Sequence, residues 1–256
     1  MQLTREQIVQ ALQPALQPLP HVYAMWEGGS ASFGRLDAWS DIDLQLDADT
    51  DRITETFELI EARLEQLSPI AQRYALPEPT WHGHAQRFYI LRDASPYLML
   101  DLVIMRHAQG ERFNEVELHG VPVVYFDKGN VTTPAHIDQG ELSTKLAQRI
   151  KQLRATFPLF QPLVTKEVLR EHPLDALACY NSLTLRPLVE LLRIRHCPQR
   201  YSFGSRYLYY DLPPEAVRQL EMLSYPASMD EIEDHRRGAQ ALFEATLAEL
   251  DAAAGA

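Results

Sequence analysis

Apolar and polar residues alternate in two rhythms along this chain, and the rhythm changes once. In the first half, runs with a period near two sit between turn residues: HVYAMWE at 21–27, DIDLQL at 41–46, HAQRFYILRD at 84–93, YLMLDLVIMR at 97–106 and PVVYFDKGN at 122–130. Short alternating runs of this kind predict half-buried strands. The linker ASP between the third and fourth runs predicts a hairpin. Two stretches break the strand rhythm. Residues 5–16 follow a Thr4/Gln7 capping-box signature and end toward the prolines at 18–20, which predicts a helix. TETFELIEARLEQL at 54–67 sets Phe57, Ile60, Leu64 and Leu67 on one helical face. After about residue 134 strand signals nearly vanish, and helical spacing fills 138–157, 163–171, 174–196, 213–223 and 228–250. Pro173 punctuates one of these helices and Pro213–Pro214 opens another. The predicted fold class is α+β: an N-terminal α/β domain with a mixed sheet, residues 1–136, and a C-terminal all-helical domain, residues 137–256.

Composition narrows the class of molecule. An apolar share of 46% with 23% charged residues suits a globular chain with a sizeable core. Cys179 and Cys197 are too few for a disulfide framework and form no CxxC pair. The opening MQLTREQIVQALQ is amphipathic, unlike a signal peptide, and no apolar run approaches the roughly 20 residues that span a bilayer. These features predict a reduced, cytoplasmic protein with no membrane partner. A net charge of −11 argues against nucleic acid as a partner and suits a cationic substrate. A local basic group does form late in the chain from Arg186, Arg193, Arg195, Arg200 and Arg206.

The chemistry concentrates in MWEGGSASFGRLDAWSDIDLQLD, residues 25–47. Asp41 and Asp43 stand at i and i+2 of a strand, so both carboxylates point to one sheet face with Cα atoms about 7 Å apart. Adjacent carboxylates repel unless a cation sits between them, and Mg²⁺-like ions take such oxygen ligands while keeping positions open for phosphates. Asp101 lies inside LMLDLVIM, where an unpaired carboxylate is costly, and it supplies a third ligand from a neighbouring strand. Gly28–Gly29–Ser30 is a turn whose backbone N–H groups and hydroxyl suit terminal phosphate oxygens, with Ser40 as a further phosphate contact. An Asp-x-Asp pair alone is a common solvated strand edge; the turn before it and Asp101 after it turn the pattern into a phosphoryl- or nucleotidyl-transfer site.

GGSASFGRLDAWSDIDLQL followed by LMLDLVIM resembles the DNA polymerase β-like nucleotidyltransferase superfamily over residues 21–106. Gly29 and Ser30 match its Gly-Ser element, Asp41 and Asp43 its acidic pair, and Asp101 its third acidic position. The layout of a short α/β domain before a helical one is most similar to small-molecule enzymes such as aminoglycoside nucleotidyltransferases. The resemblance implies that Asp41 and Asp43 bind Mg²⁺, as one ion or two, and that Gly29 and Ser30 hold the β/γ-phosphates of an NTP, ATP foremost. An acceptor hydroxyl then attacks the α-phosphorus, and Asp101 completes the metal site or serves as base. The acceptor it implies is a small molecule, for instance an aminoglycoside-like antibiotic. The alternatives are nucleotidylylation of a protein or tRNA by a toxin-like member, and a silent nucleotide-binding module, against which the presence of all three carboxylates counts.

In the second domain, Arg186, Glu190 and Arg193 share a helical face. They read as an ion-pair ladder, or as nucleotide contacts from Arg186 and Arg193 with Glu190 on the acceptor. The tyrosines of RYLYYD at 206–211 read as core packing ahead of stacking on a base or sugar, Asp37 and Asp47 as solvent-facing positions or caps, and His82 and His84 as loop residues ahead of transition-metal ligands.

Overall fold

The computed structural model describes residues 2–110 and 112–255. It divides into two compact units, Met1–His136 and Ile137–Ala256.

The first unit runs α1 (Arg5–Leu16), β1 (Val22–Glu27), a one-turn α2 (Gly29–Ser32), β2 (Ile42–Ala48), α3 (Ile53–Leu67), β3 (Ile70–Ala75), β4 (Ala85–Leu91), β5 (Met99–Arg106), a short α4 (Val116–His119) and β6 (Val123–Asp127). Among the described residues the six strands make one mixed sheet in the order β3-β4-β5-β2-β1-β6. β2 and β5 run parallel at its centre, and the other pairings are antiparallel. The capping box on α1 forms as the Thr4/Gln7 spacing predicts. Period two then sorts the side chains. Ile42, Leu44 and Leu46 of β2 and Leu100, Leu102 and Ile104 of β5 point to one face, where α1 and α3 cover them with Ile8, Leu12, Phe57, Ile60 and Leu64. The opposite face carries Asp43, Gln45 and Asp47, with a smaller apolar cluster of Ala24, Trp26 and Met105.

β3 was not foreseen. Its residues IAQRYA are mostly exposed because it is an edge strand, so no buried face imposes an alternating pattern.

The second unit holds α5 (Gln139–Leu169), α6 (Pro173–Cys179), α7 (Arg186–His196), α8 (Leu208–Asp211), α9 (Pro214–Ser224) and α10 (Met229–Ala254). α5 is continuous where the sequence predicted a break at 158–162: Pro158 and Pro162 both lie inside it. Leu153, Phe157, Gln161 and Val164 repeat every three or four residues and are buried, so packing holds the helix through its prolines. Phe157 stacks on Phe243 of α10 with centroids 3.7 Å apart. The expected single helix over 174–196 is interrupted by a π-helical segment at Tyr180–Leu185. Among the described residues no helix is long and apolar enough to cross a membrane.

Candidate active site

Parallel pairing of β2 and β5 sets Asp43 directly opposite Asp101. Asp41 precedes β2, and its Oδ1 accepts from the Met99 backbone N–H at 3.3 Å, which ties the two strand starts together. The turn after β1 completes the group. Gly28 N–H donates to the Asp43 carbonyl at 2.9 Å, extending the β1–β2 ladder into the turn. Gly29 has φ +52°, and a Cβ there would lie 1.6 Å from Asp43 Oδ2, so only glycine fits against this carboxylate. The turn is braced from behind: the Ser32 hydroxyl donates to the carbonyls of Gly29 and His119, and Val121 N–H donates to the Ser32 carbonyl. Ser30 is half-buried, and its hydroxyl has no partner among the described residues.

Arg5, which the sequence reading overlooked, holds the approach to β2. It pairs with buried Glu27 and donates to the carbonyls of Ser40, at 2.9 Å, and Asp41. Ser40 itself is occupied: its hydroxyl donates to Asp37 Oδ1 at 2.8 Å and accepts from Asp37 N–H at 3.0 Å. It closes the loop before Asp41, with Asp37 exposed as expected and its Oδ1 also accepting the Trp39 N–H at 2.9 Å.

The electrostatics follow from the crowding. Burial, followed by the charges of Asp101, Asp41 and Glu27, pushes Asp43 up to about 6. Asp101 is also raised, by burial first, against the pull of a hydrogen bond from Gln86. Among the described residues no basic side chain forms an ion pair with Asp41, Asp43 or Asp101. Three carboxylates close enough that charge among them raises Asp43 and Asp101, with no basic side chain among the described residues paired to them and beside a turn that a Cβ would fill, form a donor set fitted to a hard divalent ion and the phosphates it carries. Their oxygens do not all come within 4.8 Å of one another; among the described residues the group that does is Glu167, His172 and Asp175 on the helical unit. His172 there already pairs with Glu167.

Other sequence assignments need correction. Asp47 is neither exposed nor a cap: it is fully buried, with Arg112 Nε 2.6 Å from Oδ2 and His107 on Oδ1. Its place four residues after Asp43 puts it on the same face, under the loop after β5. Arg193 is not a nucleotide contact. It is fully buried, pairs with Asp211 at 2.8 Å, and donates to the carbonyls of Gly204, Arg200 and Arg206. The ion-pair ladder does not form either, because Glu190 takes Arg149 of α5 in a two-pronged pair at 2.5 and 2.7 Å. Arg186 is exposed on the helical unit. Tyr209 and Tyr210 are 72% and 58% exposed, so they do not pack in the core.

No family model and no curated protein matches this chain. Among solved structures it is similar to an aminoglycoside 6-adenyltransferase from Bacillus subtilis, at 14% identity over 96% of this chain and 89% of that one, with a TM-score of 0.39. It is also similar to a nucleotidyltransferase-like protein from Exiguobacterium sibiricum, at 12% identity over 94% of this chain and 75% of that one, with a TM-score of 0.41. At these TM-scores the functional reading rests on the site's own geometry.

Proposed function

We propose that this chain is a Mg²⁺-dependent nucleotidyltransferase that moves a nucleoside monophosphate from an NTP, ATP foremost, to a hydroxyl of a small molecule. The observation that carries the reading is the meeting of Asp41, Asp43 and Asp101 on adjoining strand starts, with Gly29 so close to Asp43 that no side chain fits between them.

Asp41 and Asp43 would hold the metal, with Asp101 completing its ligands or serving as base. Bound there, Mg²⁺ would screen the charge of the triphosphate and of the pyrophosphate that leaves. The backbone N–H groups at Gly29 and Ser30, with the Ser30 hydroxyl, would bind the terminal phosphate oxygens. Bringing the acceptor oxygen in line with the α-phosphorus is the main catalytic task, since a new P–O bond forms as the bond to pyrophosphate breaks. The acceptor proton leaves toward the carboxylate group, where Asp101 stands ready to take it. A net charge of −11 favours an amine-bearing acceptor, and an aminoglycoside is the first compound class to offer.

Purified protein with Mg²⁺, each NTP and an aminoglycoside panel is expected to release pyrophosphate and yield a product heavier by one nucleotidyl group. Asp41→Asn and Asp43→Asn should each reduce the rate by at least about 10³-fold while leaving the circular dichroism spectrum unchanged. Full activity in both variants would overturn the assignment. Turnover that needs a protein or RNA acceptor instead would move the substrate class and keep the chemistry.

A further inference from the structure

Asp101 differs from its two neighbours in that another side chain already holds one of its oxygens, whereas Asp41 takes only a backbone N–H, from Met99. Gln86 lies on β4, opposite Val103, while Phe88 is opposite Asp101. That diagonal placement is within reach of a long side chain, and Gln86 Nε2 donates to Asp101 Oδ1 at 2.6 Å. A glutamine amide can be turned either way, and the wrong way would set its oxygen against the carboxylate. His82 decides the matter. Its Nε2 lies 3.0 Å from Gln86 Oε1, and its Nδ1 accepts the backbone N–H of His84 at 3.2 Å. An imidazole that accepts at Nδ1 carries its proton on Nε2 and therefore donates to Oε1. The turn that bears His82 is itself pinned, since the Thr80 hydroxyl donates to the His84 carbonyl at 2.5 Å. The result is a directed chain, from a backbone amide through imidazole and carboxamide to a carboxylate, with every donor facing an acceptor.

We propose that Gln86, oriented by His82, is a positioning residue for the metal-dependent transfer: it occupies Asp101 Oδ1 and leaves Oδ2 as the oxygen that serves the metal or the acceptor. The inference rests on the reading of Asp41, Asp43 and Asp101 as one site. The choice of an amide has a physical reason. Asp101 faces two carboxylates of like charge that push against it, so it needs a tether. An arginine or lysine tether would neutralise the site and compete with the incoming cation, whereas a carboxamide fixes the geometry and leaves the negative charge in place.

The test is Mn²⁺ affinity of the full-length, metal-free protein, read by electron paramagnetic resonance, with thermal melting as the check on folding. Asp43→Asn is the control for the site itself. Gln86→Leu should weaken Mn²⁺ binding by about tenfold or more, the loss typical for removing an outer hydrogen-bond partner of a metal ligand. His82→Phe should weaken it by several-fold. The double variant should bind no more weakly than Gln86→Leu alone, because the histidine acts only through the glutamine. A merely structural role would shift the melting temperature and leave Mn²⁺ affinity alone. Should Gln86→Leu fail to fold, His82→Phe carries the test. Unchanged affinity in the folded variants, with Asp43→Asn losing it, overturns this inference and spares the transfer site. Mn²⁺ binding absent from the wild type, or indifferent to Asp43→Asn, overturns the site and this inference together.

Discussion

Asp43 holds a position that costs stability in the metal-free protein. Its carboxyl is pushed up to about 6 by burial and by Asp101, Asp41 and Glu27. A carboxyl raised above its unfolded value favours the folded state fully only below about pH 4, and that contribution is lost as pH rises through about 6. For a shift of this size the loss is on the order of 3 kcal/mol. Urea unfolding in EDTA should therefore find the wild type losing stability between about pH 4 and pH 7 relative to Asp43→Asn and levelling off above that, with Mg²⁺ recovering part of the difference at pH 7. Parallel pH dependences for the two proteins would contradict it. Asp41, Asp43, Asp101 and Gly29 were legible in the sequence because a charge inside an apolar strand demands a reason. Arg193 was misread because helical spacing tells which residues share a face and not whether that face is buried. Its partner Asp211 lies beyond the end of α7 and is brought to it by the chain's return through Gly204 and Arg206.

At the scale of elements, the second unit shows how one side chain mends a helix. Pro187 has no N–H to offer the Leu183 carbonyl, and just before it the helix widens, with Arg186 N–H reaching five residues back to the Asn181 carbonyl. Buried Gln161 of α5 donates to the Leu183 carbonyl at 3.1 Å and accepts the Thr184 hydroxyl at 2.8 Å. Gln161→Leu would leave both groups unpaired in the interior. It should cost about 1–3 kcal/mol in urea unfolding, and a change within measurement error would count against this role. The same proline arithmetic predicted a break in α5 that does not occur, since burial of Phe157 and Val164 outweighs the lost hydrogen bonds. β3 escaped the reading for the opposite reason: with nothing burying it, its sequence carries no period.

Across the whole molecule, each unit closes its own core. The clusters around the sheet draw only on residues before 137, and those among the helices only on residues after it. Residues 1–136 expressed alone should accordingly give a mixed α/β circular dichroism spectrum and a cooperative thermal transition. A fragment without a transition would show that the sheet depends on the helical half. The acidic balance belongs to this scale too: a net charge of −11 favours the approach of cations over anions to the molecule as a whole.

By itself the sequence determined the two rhythms, the change of architecture near residue 134, and the elements of the site: a Gly-Ser turn, an Asp-x-Asp strand and a lone Asp in an apolar run. These are local quantities, set by side-chain periods of two and 3.6 and by the cost of a charge among apolar neighbours. Tertiary structure decided what stands opposite what. Parallel registration of β2 and β5 put Asp43 beside Asp101, β4 brought Gln86 to Asp101, and the loop after β5 buried Asp47 under Arg112. Such pairings join residues far apart in the chain through strand register and packing, and no local period encodes them.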